Sequence, residues 1–138
     1  MTITITEPFR HRAAAAGITE ALVREVISAF YQEVRRDAVL GPVFHAAIGS
    51  AWEAHIETVC LFWLTATRLG GGYPSGRFMP AHLQNRSVRV EQIPRWLHLF
   101  RRTMAERCTP EAAAVLVDIA ERMAQSIGIL LVRRDSAP

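Results

Sequence analysis

The chain has no lysine. All 16 basic residues among its 138 are arginine, set against 13 acidic residues for a net charge of +3. The arginines are dispersed, adjacent only at Arg35-Arg36, Arg101-Arg102 and Arg133-Arg134, whereas a nucleic-acid binder gathers its charge on one face. No nucleic-acid partner is expected. Cysteine is scarce as well. Cys60 and Cys108 have neither metal-type spacing nor the numbers for a disulfide framework, which fits a reducing, cytoplasmic setting. Both fall at apolar helical positions and read as buried thiols; neither has a histidine on its own buried row, so cysteine catalysis lacks support. No apolar run reaches the roughly 20 residues of a membrane span, the most apolar stretch being Val59 to Ala66. The N-terminus lacks the basic and apolar regions of a signal peptide. Gly70-Gly71-Gly72 has neither the strand-then-helix context nor the lysine of a phosphate loop.

What is present is helix. Half of the residues are hydrophobic and 21% are charged, the balance of a globular chain, and this length makes one domain. A first helix is expected from the N-cap Thr19 through Arg35 and Arg36. Leu22, Val26, Phe30 and Val34 form one apolar row, and Val23, Ile27 and Tyr31 the next. Leu40-Gly41-Pro42-Val43-Phe44 reads as a turn forced by Gly-Pro. Ser50-Ala51-Trp52-Glu53 matches a capping box and opens a second helix whose stripe is Trp52, Ile56, Val59, Cys60 and Trp63, ended by the glycine run. A third spans about Glu91 to Arg107, with Ile93, Trp96, Leu97, Phe100 and Met104 at the 3.6-residue period. A fourth begins at Thr109-Pro110-Glu111, a cap with proline at the first helical position. Thr2 to Thr6 alternates like a strand but has no partner. The expectation is an all-α fold, with a loose arm or a poor first helix over residues 1–16, the domain over 17–132 and a fraying tail over 133–138.

Two histidines carry the chemistry. His55 lies at the edge of the second helix's apolar stripe, and His82 stands 27 positions later in a short segment flanked by Phe78, Met79 and Leu83. A neutral imidazole among apolar side chains suits an iron ligand in a haem pocket. Tyr31 and Trp96 each place an aromatic with a polar tip on a buried face. A phenol, an indole and a second imidazole can donate hydrogen bonds to a ligand that carries partial negative charge. His11, His45 and His98 read as solvent-facing, the last beside Arg95, Arg101 and Arg102.

Several segments together resemble the truncated haemoglobins of the third group. Phe30-Tyr31-Gln32-Glu33-Val34-Arg35-Arg36-Asp37 and Leu40-Gly41-Pro42-Val43-Phe44 are similar to that family's first helix and following turn. Ile48-Gly49, Trp52-Glu53-Ala54-His55 and Phe62-Trp63 resemble its E helix. Gly76-Arg77-Phe78-Met79-Pro80-Ala81-His82 resembles the segment that ends in the proximal histidine. Arg95-Trp96-Leu97-His98-Leu99-Phe100 and Ile119-Ala120-Glu121-Arg122-Met123-Ala124 resemble the G helix and the last helix.

The resemblance implies a short globin with helices packed two over two around haem b. His82 would be the iron ligand, and Tyr31, His55 and Trp96 would line the opposite, ligand-binding side. Phe44, Val59, Phe78, Met79 and Phe100 would contact the cofactor, and Arg86, with Arg77 or Arg89 as alternatives, would pair with a propionate. It further implies binding of dioxygen, nitric oxide or another diatomic gas. Three donors would hold dioxygen too firmly for simple delivery, which favours ligand chemistry such as nitric oxide dioxygenase or peroxidase-like activity, supplied with electrons by an unidentified reductase. The alternative is a non-haem helical regulatory or sensor module that keeps a globin-like core.

Overall fold

The computed structural model describes residues 12–67 and 88–136. Helix α1 spans Glu20–Arg36. Thr19 caps it as expected, its hydroxyl accepting from the Leu22 amide at 3.2 Å. Glu20 in the first turn and Arg35 and Arg36 in the last complement the helix dipole. The two apolar rows merge into one buried stripe of Val23, Val26, Ile27, Phe30, Tyr31 and Val34, with Leu22 half-buried at its edge.

The expected turn after α1 is instead a nine-residue helix, α2, Leu40–Ile48. Asp37 is the reason. Its carboxylate accepts from the Val39 and Leu40 amides at 3.1 and 2.9 Å, and its carbonyl accepts from Gly41 at 2.8 Å. A carboxylate in this position starts a helix by satisfying amides that have no partner within it. Pro42 then falls in the first turn, where its missing N–H leaves nothing unmade. Gly41 is required for contact: a Cβ there would lie 2.8 Å from the Arg35 carbonyl oxygen. The absent side chain lets α2 lie directly on the end of α1.

Helix α2 ends at Gly49, which adopts φ 63 and donates to the His45 carbonyl at 2.9 Å. This left-handed turn also overturns the expected capping box. Helix α3, Trp52–Ala66, is capped by Ala51 with no side-chain hydrogen bond. The Ala51 amide bonds the Ile48 carbonyl at 3.2 Å, and Ser50 is left exposed. At the other end of α3 the buried Thr67 hydroxyl donates to the Trp63 carbonyl at 2.8 Å.

A single 3-10 turn, Val90–Gln92, leads into helix α4, Ile93–Arg107, with proline in its first turn. The Gln92 side chain reaches back to accept from the Arg89 amide at 3.0 Å. Helix α5 spans Pro110–Ser136, and the Thr109 hydroxyl accepts from the Ala112 amide at 3.2 Å as a cap. It runs beyond the expected fraying point at 133, because Arg134 donates to the Val88 carbonyl at 2.7 Å and ties this end to the start of α4.

The helices pack as two pairs, α1 with α3 and α4 with α5, joined where α1 crosses α4; α2 lies against α1. No strand occurs among the described residues, so the fold is all-α. Trp63, Phe30, Phe100, Met104, Leu116 and Ile119 are fully buried between the pairs.

One ion pair locks the crossing. Arg95 of α4, exposed as expected, also donates from Nε and a terminal nitrogen to the other oxygen of Asp37, at 2.9 and 2.5 Å. The Asp37 side chain is only 3% exposed while that of Arg95 is 44% exposed. The guanidinium holds the Asp37 carboxyl below the usual aspartate range, against burial that pushes it up, and the Leu40 and Val39 amides assist. A depressed carboxyl stabilises the fold above its unfolded pKa, and that contribution is lost as pH falls through the lowered folded value. Asp37→Ala is expected to cost about 2 kcal/mol, the sum of a lost cap and a half-exposed ion pair, in urea unfolding at neutral pH. The cost should shrink as the pH is lowered through the acid range. A variant as stable as the parent, or a cost independent of pH, would contradict this account.

Candidate functional site

Tyr31 stands where α1, α2, α3 and α4 converge. The stripe of α1 turns it inward, leaving it 6% exposed. Its ring meets the His55 imidazole from α3 edge-on, centroids 5.4 Å apart, and Phe44 from α2 at 6.0 Å. Phe44 and His55 are themselves 6.5 Å apart. From α4, the Trp96 indole approaches the Tyr31 hydroxyl closely enough to favour its ionised form. Trp96 is held in place by a stack: it lies 5.3 Å from Phe100 at an interplanar angle of 14°, and Phe100 lies 5.2 Å from Trp63 at the same angle. Phe30 braces the stack edge-on, 5.2 Å from Trp96 and 5.1 Å from Phe100. Each such contact adds about 0.5–1.5 kcal/mol beyond the area it buries.

Burial pushes the Tyr31 phenol well above its ordinary value; the Trp96 indole opposes this more weakly, and nearby Cys60 adds to the rise. Tyr31 is therefore a neutral hydroxyl, a donor, throughout the physiological range. The cysteines are free, Cys60 buried and Cys108 half-buried. Burial is also the main cause that raises both thiols, so neither is a ready nucleophile. Among the described residues no cluster of three histidine, cysteine or acidic side chains could hold a metal.

The three expected donors are thus brought together: Tyr31, His55 and Trp96 share one cluster, with Phe44 beside them. Val59, one turn beyond His55 on α3, is half-buried and packs on the core. Phe100 is fully buried inside the stack, behind Trp96. His82, Phe78, Met79 and Arg86, together with Arg77 and His11, lie outside the described residues. Arg89 is exposed and pairs with Glu91 at 3.5 Å; His45 and His98 are exposed, as expected.

Trp52, which the sequence does not single out as a site residue, belongs to the cluster as well. Its ring lies 6.3 Å from His55 and 5.2 Å from His45. The Arg35 guanidinium sits over it, 4.7 Å from the ring centroid. Its indole nitrogen is buried with no hydrogen-bond partner. The spacing of three between Trp52 and His55 puts both on one helix face, the signal that could have found it.

The cluster offers neutral donors at a boundary where Phe44, Ile56, Val59, Phe62 and Trp96 are apolar and only partly buried. Such a site can bind a small electron-rich ligand and hold it by hydrogen bonds.

No family model matches the chain. It is 28% identical over 119 residues to a group 3 truncated haemoglobin, ctb, of Campylobacter jejuni subsp. jejuni serotype O:2, covering 84% of this chain and 93% of the relative. Its fold is similar to the crystal structure of a group III truncated haemoglobin from Campylobacter jejuni, with a TM-score of 0.78 at 27% identity over 83% of this chain and 91% of the other. In sequence and in its globin-like fold the chain is thus similar to group III truncated haemoglobins along most of its length.

Proposed function

We propose that the protein binds haem b through His82 and captures a diatomic gas, dioxygen or nitric oxide, against Tyr31, His55 and Trp96. The observation that carries this is the Tyr31 hydroxyl: buried, kept neutral and held against the Trp96 indole, with an imidazole on its other side. The residues fit such a group. Neutral donors face a half-buried apolar rim, the lining a planar apolar cofactor with an electron-rich ligand requires.

Haem, when bound, supplies an iron centre that takes the gas and passes electron density to it. The chain's own contribution is to the ligand. Trp96 cannot turn away, because the Phe100–Trp63 stack fixes its plane. Tyr31 is fixed by Phe30, whose ring lies 4.9 Å from it, so its hydroxyl is aimed before any ligand arrives. His55 and Phe44 each lie against the Tyr31 ring, at 5.4 and 6.0 Å. Several donors converging on one small ligand slow its release, which suits a protein that transforms its ligand more than one that delivers it. Nitric oxide detoxification and peroxide handling are the reactions this favours, with electrons from a separate reductase.

The protein purified with haem should show a Soret band that is lost or shifted in His82→Gly. A chain without the band, or a band unchanged in that variant, would sink the reading. Tyr31→Phe should speed dioxygen dissociation by about tenfold or more, the worth of one hydrogen bond to a charged acceptor. Trp96→Phe should act in the same direction. Because the Tyr31 phenol is raised, the parent's dissociation rate should stay flat past the ordinary tyrosine range near pH 10; a rise there would show that Tyr31 ionises and is not the donor.

A further inference from the structure

Outside the donor cluster lies a cavity of about 540 Å³ at the junction of α2 and α3, lined by Arg35, His45, Ser50, Trp52 and Glu53 among others. Trp52 belongs to both places. Trp52 lines this cavity, and its ring lies edge to face with the imidazole of His55, centroids 6.3 Å apart. His55 in turn touches Tyr31 at 5.4 Å. The order from solvent inward is therefore cavity, Trp52, His55, Tyr31.

Two features show that the indole is held and not merely packed. Arg35 makes no ion pair among the described residues, and its guanidinium sits over the Trp52 ring at 4.7 Å, an attraction of a cation for a ring face. In this position the indole N–H is buried with no hydrogen-bond partner, a penalty that water would relieve if the ring swung out. The inward position is thus opposed by a lost hydrogen bond and favoured by Arg35. The cap of α3 allows such a swing, since Ala51 contributes no side-chain hydrogen bond at the start of the helix.

We infer that the ligand's route runs through this cavity and that Trp52, latched by Arg35, is its door. The inference rests on the ligand-binding reading above. A door differs in kinetics from a donor. It changes the barrier for entry and exit together and leaves affinity unchanged, whereas losing a donor changes exit and affinity.

The test uses ferrous, haem-loaded protein with carbon monoxide as the probe. In Arg35→Gln, an exposed substitution that leaves the core intact, association and dissociation rates should rise together by about two- to fivefold, the value of one surface cation–π contact, with an unchanged equilibrium constant. Trp52→Ala should raise both further. Hydrogen exchange of the Trp52 indole N–H, followed by nuclear magnetic resonance both in the carbon monoxide complex and in the protein without haem, should be faster in Arg35→Gln than in the parent. Rates and indole exchange equal to the parent's in Arg35→Gln overturn the door, as does a rise in dissociation alone. A chain that takes up no haem overturns the functional reading instead, and the indole exchange then still decides whether Arg35 latches Trp52.

Discussion

The Asp37 carboxylate holds three elements in one place. One oxygen starts α2 through the Val39 and Leu40 amides; the other receives the Arg95 fork from α4; the residue itself follows the last turn of α1. Two side chains of the candidate site depend on this. Phe44 is carried by the helix that Asp37 starts, and Trp96 follows the arginine that Asp37 binds. A nearly buried carboxylate is tolerable only when its lone pairs are filled, and here two amides and a guanidinium fill them. Hydrogen bonds that satisfy one residue therefore fix the angle between the two helix pairs.

Around that lock the cluster is assembled from aromatic edges and faces. Tyr31 is braced by Phe30, Trp96 by Phe100, and Phe100 by Trp63. These are core contacts in every respect except that the chain terminates them in an O–H and an N–H. The indole N–H acts on the Tyr31 oxygen, and the Tyr31 O–H is left to donate to a third partner inserted beside them. That is an economical way to place donors in an apolar interior without leaving the indole stranded.

The sequence made much of this legible. Helix α1 could be read because its cap, its dipole charges and its two rows agree with one another. Helices α4 and α5 announced themselves by proline in the first turn and, for α5, a threonine cap. The donors Tyr31, His55 and Trp96 stood out as polar-tipped residues on apolar faces. What could not be read depended on partners distant in the chain. Gly41-Pro42 looks like a breaker until Asp37 supplies a start to the helix and α1 supplies a backbone too close for any Cβ. Ser50 has the identity of a cap, but the left-handed Gly49 takes it out of reach. Arg95 shares a spacing with exposed arginines, and nothing local reveals that its partner lies 58 positions earlier. Trp52 matched an apolar stripe so well that its contacts with Arg35, His45 and His55 were invisible.

The three-ring stack has one more consequence. Trp63, Phe100 and Trp96 form a continuous column from the middle of the core to the donor cluster. Packed interiors transmit displacement instead of absorbing it. The wall of the site is thus not a surface laid over the core but the end of it, and Trp63, which touches none of the donors through any ring contact of its own among the described residues, is bound to the same tolerance as Trp96. A substitution at Trp63 that leaves the protein stable is therefore still felt at Trp96, one ring-stack away.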